Sequence, residues 1–318
     1  MPVPITLLVD DSCPLVHVYR FHLEDVHKRE PRTAYGSRLA DEVPNDFLDS
    51  FCDVVEARGI RGKLSIVPSP AGRGDIVAGV NGDLPATRHW LDTARRRLAD
   101  RFDFCPEGIT HNLAVDLATG ADIPEGESDW SQHQDRAALT PYIARSLRYL
   151  KDAGFDATGV TSPWVFGIEV EAEYTAAIVE AQRLVYGRRS SWYFLHMLHD
   201  KRPSARPWVA VSEGETRLVS IPSTVADIWW KTIDSPRQDP AFVRGLADEL
   251  LWEDGRGGKI RQVIDAGGWP VLLTHWQSLY SNGLRTGLQV LDEVGRRVER
   301  GLGGEARWAS CTELAAMI

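Results

Sequence analysis

The sequence has little of what marks secreted, membrane-bound or disulfide-rich proteins. Its four cysteines, Cys13, Cys52, Cys105 and Cys311, are scattered, and no two of them form a CxxC pair. This spacing favours reduced thiols over a disulfide framework or a zinc knuckle. No apolar run is long enough to cross a membrane, and residues 1–11 lack the basic region of a signal peptide. We therefore expect a cytoplasmic protein.

Positive charge is also scarce. The chain has 36 Lys and Arg against 45 Asp and Glu, which gives a formal net charge of −9. Nucleic acids and anionic membranes are bound through Lys and Arg, so neither is expected as a partner. The expected partner is a small-molecule or oligosaccharide substrate, and the sequence does not indicate an oligomeric state. The negative charge also has a plainer explanation, since it keeps a protein soluble.

Segments typical of strands and helices alternate along the 318 residues. Such alternation predicts parallel strands joined by helical crossovers. The expected fold is α/β, a distorted β/α barrel of about seven parallel strands in a single domain, residues 1–318. Two stretches are predicted insertions, residues 12–43 and residues 187–240, and the second contains a small β element. The predicted strands cover residues 5–9, 63–67, 102–105, 157–161, 192–195, 270–274 and 307–308, and the predicted helices residues 45–58, 85–100, 135–153, 170–185, 241–252, 259–266, 284–298 and 312–317.

Carboxylates and imidazoles follow several of the predicted strands. Asp10 and Asp11 end the first strand, Glu107 and His111 come after the third, and His275 follows residues 270–274. In parallel α/β folds the active site lies at the carboxyl ends of the strands. We therefore expect these five side chains to meet on one rim.

Three of these residues form a candidate metal site. Glu107 and His111 are four apart, a spacing that places both on one face of a helical turn. Together with Asp11 they provide three protein ligands, the usual number at a catalytic metal. Zinc is the expected ion, and manganese, iron or cobalt also suit these ligands. Each residue also has a plainer explanation, as a polar strand end, a solvated turn or, for His275, a buried core histidine.

The ordered set of motifs resembles the polysaccharide deacetylase (NodB-homology) superfamily, as a divergent member. Residues 8–11 (LVDD) are similar to its first motif, a strand that ends in two aspartates. Residues 107–111 (EGITH) are similar to the second, and residues 161–164 (TSPW) stand in the place of the third. Residues 273–275 (LTH) are similar to the last motif, and residues 308–314 to the closing strand and helix.

This resemblance implies a β/α barrel and metal-assisted removal of an acyl group, often from a sugar. By the same resemblance Asp10 is the base, Asp11 and His111 are metal ligands, and His275 is the acid. Two positions depart from the family pattern. Glu107 stands where the family usually has a histidine, and the usual arginine of the third motif is absent. The group that orients Asp10 is therefore not identified from the sequence.

Aromatic and basic residues near the motifs are candidates for substrate binding. Trp164, Trp276 and Trp230 have flat apolar faces on which sugar rings stack. His22 and Arg20, in the first predicted insertion, lie close to the aspartate pair in sequence and suit a lid or a substrate loop. Core packing for the tryptophans and an ordinary surface excursion for the insertion are the alternatives.

We therefore expect a metal-dependent, deacetylase-like hydrolase that acts on a C–N or ester bond. The first expectation is removal of an acyl group, most simply acetyl, from a carbohydrate or related substrate. One alternative is hydrolysis of a non-peptide C–N bond in a small amide or ureide. A second alternative is an inactive carbohydrate-binding protein, in which the altered motifs reflect loss of catalysis.

Overall fold

The strands alternate with helices along the chain, as the sequence predicts. The computed structural model describes residues 2–318, with only the backbone described at residue 200. The strands in this range are β1 (Val3–Ser12), β2 (Gly62–Ile66), β3 (Gly74–Asp75), β4 (Gly79–Val80), β5 (Phe102–Pro106), β6 (Leu113–Val115), β7 (Asp122–Gly126), β8 (Gly159–Thr161), β9 (Ser190–Phe194), β10 (Trp208–Glu213), β11 (Thr216–Ser220), β12 (Val271–His275) and β13 (Ala306–Trp308).

Most helices lie within two residues of their predicted bounds. The helices in the same range are α1 (Val18–Asp25), α2 (Asp46–Ala57), α3 (Leu84–Leu98), α4 (Glu127–Ser131), α5 (Arg136–Asp152), α6 (Glu171–Tyr186), α7 (Pro240–Leu250), α8 (Lys259–Asp265), α9 (Trp276–Tyr280), α10 (Thr286–Arg297) and α11 (Cys311–Ala316). Within residues 2–318, no helix combines the length and the apolar character that crossing a bilayer requires.

Two sheets of mainly parallel strands form the centre of the fold. The first has the order β12-β1-β2-β5, with β13 also paired to β1, and the second has the order β10-β11-β9-β8. Isolated parallel bridges, Phe104–Ala157, Glu107–Thr161 and Val225–Leu272, connect the two sheets at both sides. The α/β class with a parallel sheet is thus confirmed. A barrel of seven strands is not confirmed, because the strands form two sheets that isolated bridges connect and not one continuous ladder.

The sequence of β1 contains an unbroken apolar run because both faces of this strand are buried. Leu7 and Val9 pack with the helices in the main hydrophobic core. Leu8 points the other way and packs with Leu273 in a second cluster on the inner side. Because side chains alternate along a strand, Asp10 continues the inner row that contains Leu8.

The two predicted insertions have different outcomes. Ser12 still belongs to β1, whereas residues 13–43 leave the sheet and contain α1, a helix not predicted from the sequence. The segment 187–240 is not wholly an insertion, because β9 and β11 within it pair in parallel with each other in the second sheet. The predicted small β element is present as the antiparallel pair β10–β11.

Candidate metal centre and catalytic groups

A bulge at the end of β1 brings two adjacent carboxylates to one cavity. The pairing of β1 with β2 shifts in register between Val9 and Ser12. Asp11, inside this bulge, has φ of 61°, in the left-handed region that few residues other than glycine adopt. A bulge interrupts the alternation of side chains along a strand. Asp10 and Asp11 consequently both line the same cavity.

The loop after β5 holds Glu107 and His111, and it is not the helical turn that their spacing predicts. Gly108 and His111 both have positive φ, 58° and 56°. A Cβ atom at Gly108 would lie 2.2 Å from Oε2 of Glu127, so only glycine fits there. The loop conformation, and not a helix, therefore sets the position of His111.

Glu127 at the start of α4 fixes this loop. Its carboxylate accepts hydrogen bonds from the backbone N–H groups of Ile109 (2.6 Å), Thr110 (3.2 Å) and His111 (2.8 Å), and from the Tyr142 hydroxyl (2.7 Å). The role of Glu127 is not predictable from the sequence, because the residues that it joins are 15 to 18 positions away.

We predict that Glu127→Ala lowers the metal affinity of the candidate site, although Glu127 is not one of its three candidate ligands. The substitution leaves three buried N–H groups and one hydroxyl unpaired, which should cost at least about 3 kcal/mol of unfolding free energy. Loss of such support should weaken metal binding by about 10–100-fold. Denaturant unfolding and metal titration measure the two effects. Tyr142→Phe, which removes one of the four bonds, is the control and should have a smaller effect. Unchanged metal affinity in Glu127→Ala would contradict the positioning role.

Asp11, Glu107 and His111 converge, as the sequence predicts for a metal site. One donor atom from each lies within 4.8 Å of the others, and all three residues are buried. Nε2 of His111 lies 2.8 Å from Oδ1 of Asp11 and 3.5 Å from Oε1 of Glu107. The other oxygen of Glu107 accepts hydrogen bonds from the Asp11 N–H (2.7 Å) and from the Ser65 hydroxyl. Glu107 is thus oriented through Oε2 and keeps Oε1 for the cluster.

The electrostatics of this cluster favour positive charge between the two carboxylates. Burial alone would lower the pKa of His111, but the carboxylates of Asp11 and Glu107 outweigh it and hold that pKa well above its ordinary value. Burial acts to raise the pKa of Asp11, yet His111 beside it holds the pKa below its usual range. Oδ1 of Asp11 is buried and, despite its closeness to His111, has no hydrogen-bond partner. A buried carboxylate oxygen without a hydrogen bond is expected where a metal ion binds, so the three residues fit a divalent cation.

Asp10 is oriented by a lysine that the sequence analysis did not identify. Lys63, on β2, is fully buried, and its ammonium group contacts Oδ1 of Asp10. The same ammonium donates a hydrogen bond of 2.7 Å to the Thr161 hydroxyl. Lys63 thus takes the orienting position for which no residue could be named from the sequence.

His275 has a partner of its own. Its Nδ1 lies 2.7 Å from Oδ2 of Asp227, which precedes a short helix, Ile228–Thr232. Burial tends to lower the pKa of His275, but Asp227 and the nearby Asp11 raise it to about 9. The imidazole is therefore a cation at neutral pH, with Nε2 left for a substrate. Such an imidazolium can act as a general acid.

The five predicted reactive residues share one cavity of about 340 Å³. Two of its other lining residues, Trp164 and Trp230, are predicted substrate-binding residues, and no role is predicted from the sequence for the remaining five. The complete lining is Asp10, Asp11, Tyr19, Glu107, His111, Ser162, Trp164, Phe194, Met197, Trp230, Leu273 and His275.

Three residues predicted to bind substrate do not line this cavity. Trp276 is only 1% exposed, and as the first residue of α9 it packs into the core against Phe47. His22 lies behind Trp164, with 4.9 Å between the ring centroids. The buried guanidinium of Arg20 is paired with Glu24 and Asp41. Trp276 is therefore a core residue, and His22 and Arg20 support the cavity wall and the insertion.

No family model and no curated protein matches this chain. Solved structures similar to it include 4-alpha-glucanotransferase from Thermococcus litoralis (TM-score 0.43, 11% identity, 84% of this chain and 36% of that chain). A CE4 family pseudoenzyme from Bacillus anthracis is also similar (TM-score 0.37, 10% identity, 85% of this chain and 61% of that chain). So is a deacetylase from Streptococcus pyogenes in complex with acetate (TM-score 0.28, 11% identity, 60% of this chain and 84% of that chain).

The family that the sequence motifs resemble is thus represented among the structural neighbours, since CE4 structures are NodB-like polysaccharide deacetylases. The chain spans less than two thirds of the glucanotransferase and of the pseudoenzyme. All three TM-scores lie below 0.5. These likenesses therefore carry no weight for the activity, and the proposal below depends on the geometry of the site.

Proposed function

We propose that this protein is a metal-dependent hydrolase that removes an acyl group from an amine or an alcohol. The observation that supports it is the meeting of three candidate ligands, Asp11, Glu107 and His111, with Asp10 and His275 around one cavity. A carboxylate base, an imidazolium acid and a ligand cluster with open positions are the groups that metal-assisted hydrolysis requires.

Asp11, Glu107 and His111 are the residues that would hold the metal. A divalent ion there would lower the pKa of a water molecule and stabilise negative charge on the acyl oxygen. Two carboxylates and one imidazole suit zinc and also manganese, iron or cobalt, with zinc proposed first.

The remaining residues have proton-transfer roles. Burial, opposed by Lys63, leaves the pKa of Asp10 at about 7, so near neutral pH Asp10 can accept the proton of the water that attacks the acyl carbon. His275 donates a proton to the leaving nitrogen or oxygen as its bond to the acyl carbon breaks. The proton gained by Asp10 balances the one lost by His275, and the products are a carboxylic acid and an amine or alcohol.

The proposal is tested by hydrolysis of a panel of acetylated compounds before and after chelation. The panel contains N-acetylglucosamine, chitotetraose, N-benzylacetamide and benzyl acetate, each assayed with zinc, manganese, iron or cobalt restored to the chelated protein. We expect release of acetate that chelation abolishes and one of these ions restores. Release that is insensitive to chelation, or no release with any ion, would overturn the proposed function.

We predict that Asp227→Asn moves the basic limb of the pH profile to lower pH. His275 must be protonated to act as the acid, so activity falls as pH rises through its pKa of about 9. Removal of the neighbouring carboxylate should lower that pKa by about 1–3 units. The measurement is kcat/KM against pH for the wild type and the variant.

Asparagine is suitable at this position because Oδ1 of Asp227 also accepts a hydrogen bond of 3.0 Å from the Trp230 N–H, which an amide oxygen can still do. Asp227→Glu, which retains the carboxylate, is the control and should keep the basic limb near its original pH. A basic limb that does not move in Asp227→Asn would show that His275 is not the titrating acid.

A further inference from the structure

The cavity is lined by reactive polar side chains and by apolar side chains. The reactive ones are Asp10, Asp11, Glu107, His111 and His275. The apolar ones differ in their exposure to solvent. Phe194 and Leu273 are each 3% exposed and form the deep part, whereas Trp164 (45% exposed) and Met197 (40% exposed) stand at the mouth.

A pair of aromatic rings connects the apolar wall to the catalytic histidine. Tyr19, on α1, meets Trp230 edge to face, with 4.8 Å between the ring centroids. Trp230 in turn lies 5.2 Å from the His275 ring, at an interplanar angle of 81°. Since His275 is the group that would protonate the leaving atom, the group that departs lies beside Trp230.

Few polar groups are present to receive the hydroxyls of a sugar. Among the cavity-lining residues that the structure describes, four besides the five reactive residues have a nitrogen or oxygen atom in the side chain: Tyr19, Ser162, Trp164 and Trp230. The indole N–H groups of the two tryptophans can only donate hydrogen bonds. The Ser162 hydroxyl already shares a hydrogen bond of 2.8 Å with the Tyr174 hydroxyl. A sugar ring buried here would lose hydrogen bonds to water without replacement, which is unfavourable, whereas an apolar ring loses none.

The size of the cavity also favours a small substrate over an oligosaccharide. A volume of about 340 Å³ is near the lower end of the roughly 300–1,000 Å³ range of small-molecule pockets. Such a volume accommodates a single ring with a short acyl group, and an oligosaccharide would have to extend past the mouth.

We propose that the substrate is a small amide or ester whose leaving amine or alcohol carries a single apolar ring, bound between Trp230, Phe194 and Leu273. This inference rests on the proposed hydrolase function and names its substrate class. In the reaction, water adds to the acyl carbon, the bond from that carbon to the leaving nitrogen or oxygen breaks, and the apolar amine or alcohol departs with a proton from His275.

The test compares two acetamides of primary amines that each carry one six-membered ring, N-benzylacetamide and N-acetylglucosamine. We expect kcat/KM for N-benzylacetamide to exceed that for N-acetylglucosamine by at least about tenfold, and chitotetraose to be the poorest of the three. Binding is measured separately, by titration of tryptophan fluorescence in metal-free protein. N-benzylacetamide should quench or shift that fluorescence at lower concentration than N-acetylglucosamine does.

A pair of methionine substitutions localises the effect. Met197→Gln places an amide at the cavity mouth and should raise the KM for N-benzylacetamide several-fold. Met317→Gln is the matched control, because Met317 is equally exposed (40%) and lies near the end of the chain. Equal effects of the two substitutions would argue against an apolar contact at the mouth.

The outcomes separate this inference from the proposed function. Hydrolysis in which N-acetylglucosamine or chitotetraose equals or exceeds N-benzylacetamide would overturn the substrate class and leave the hydrolase proposal standing. A second outcome is that N-benzylacetamide binds more tightly than N-acetylglucosamine but no metal-restored sample hydrolyses it. That outcome would overturn the hydrolase proposal and support binding of an apolar ring in the cavity. Equal weak binding of both acetamides, without hydrolysis, would overturn both.

Discussion

Asp11→Asn is expected to abolish the hydrolase activity by removing one of three metal ligands. Substitution of a residue that only hydrogen-bonds a metal ligand lowers metal affinity by about 10–100-fold. Loss of the charge of a ligand itself should therefore weaken binding by at least about 100-fold. The rate should fall by at least about 10³-fold, since the metal provides both the acidified water and the stabilised oxygen. Equilibrium titration with zinc and the acetate-release assay measure the two losses.

Asparagine is the appropriate replacement because Asp11 and His111 both have φ near 60°. Asparagine adopts this conformation more readily than residues other than glycine and keeps the size of aspartate, so the backbone of the bulge is preserved. His111→Asn tests a second ligand in the same way. A denatured variant would be mistaken for an inactive one if alanine were used at either position.

Thermal stability gives a measurement that does not depend on activity. A ligand that binds only the folded state at 100 times its Kd stabilises that state by about 2.7 kcal/mol. Zinc should therefore raise the Tm of the wild type and of Asp100→Asn, an exposed control, but not that of Asp11→Asn. If zinc raised the Tm of Asp11→Asn as much as it raises that of the wild type, Asp11 would not be a ligand.

The strand and helix order could be predicted from the sequence because burial imposes a visible pattern. A run of apolar residues identified β1, and the helix predicted over residues 135–153 is observed as Arg136–Asp152. The strand predicted over residues 192–195, inside the second predicted insertion, is observed as β9 (Ser190–Phe194). The parallel pairing of β9 with β11 in the second sheet could not be predicted, because short apolar runs do not specify which strands pair.

The reactive residues were predictable because active-site residues of parallel α/β folds lie at the carboxyl ends of the strands. Their hydrogen-bond and ion-pair partners were not predictable. Lys63 is 53 positions from Asp10 along the chain, and Asp227 is 48 positions from His275. No sequence spacing specifies such contacts. One signal for Lys63 was present, since a charged residue stands in the wholly buried strand Gly62–Ile66. A buried lysine requires a partner, and the free carboxylate on the adjacent strand is a natural candidate.

The positive φ angles at Asp11 and His111 are a second feature that the sequence does not reveal. A left-handed conformation at residues other than glycine costs free energy and persists only where the surroundings impose it. Here the Glu127 carboxylate imposes it on the loop of His111. The spacing of residues 107–111 thus correctly predicts that Glu107 and His111 lie close together, but the predicted helical turn is wrong, because a loop brings them together.

The second large expected effect concerns Lys63, whose side chain is fully buried against Asp10, itself only 5% exposed. Lys63→Met keeps the length of the side chain and removes its charge, which leaves the Asp10 carboxylate buried without a cation. Breaking one side of a buried ion pair costs about 3–5 kcal/mol. We expect that loss in the free energy of unfolding, measured with denaturant at neutral pH.

A surface pair provides the matched control. Lys231 lies 2.6 Å from Glu249, and their side chains are 52% and 41% exposed. Because water screens this pair, Lys231→Met should cost no more than about 1 kcal/mol. If Lys231→Met and Lys63→Met lowered the free energy of unfolding by similar amounts, burial would not explain the contribution of the Lys63–Asp10 pair to stability.

The double variant Lys63→Met/Asp10→Asn separates stability from catalysis. Asparagine at position 10 is neutral and, unlike the carboxyl group of Asp10, takes up no proton at neutral pH to become so; much of the lost unfolding free energy should therefore return. Activity should not return, because the base is absent; loss of a general base lowers the rate by about 10²–10⁴-fold. In Lys63→Met alone the Asp10 carboxyl avoids the buried negative charge by keeping a proton, and so cannot act as a base at neutral pH. Wild-type kcat in folded Lys63→Met protein would therefore exclude Asp10 as the base, whereas low activity in both variants with recovered stability in the double variant is the expected result.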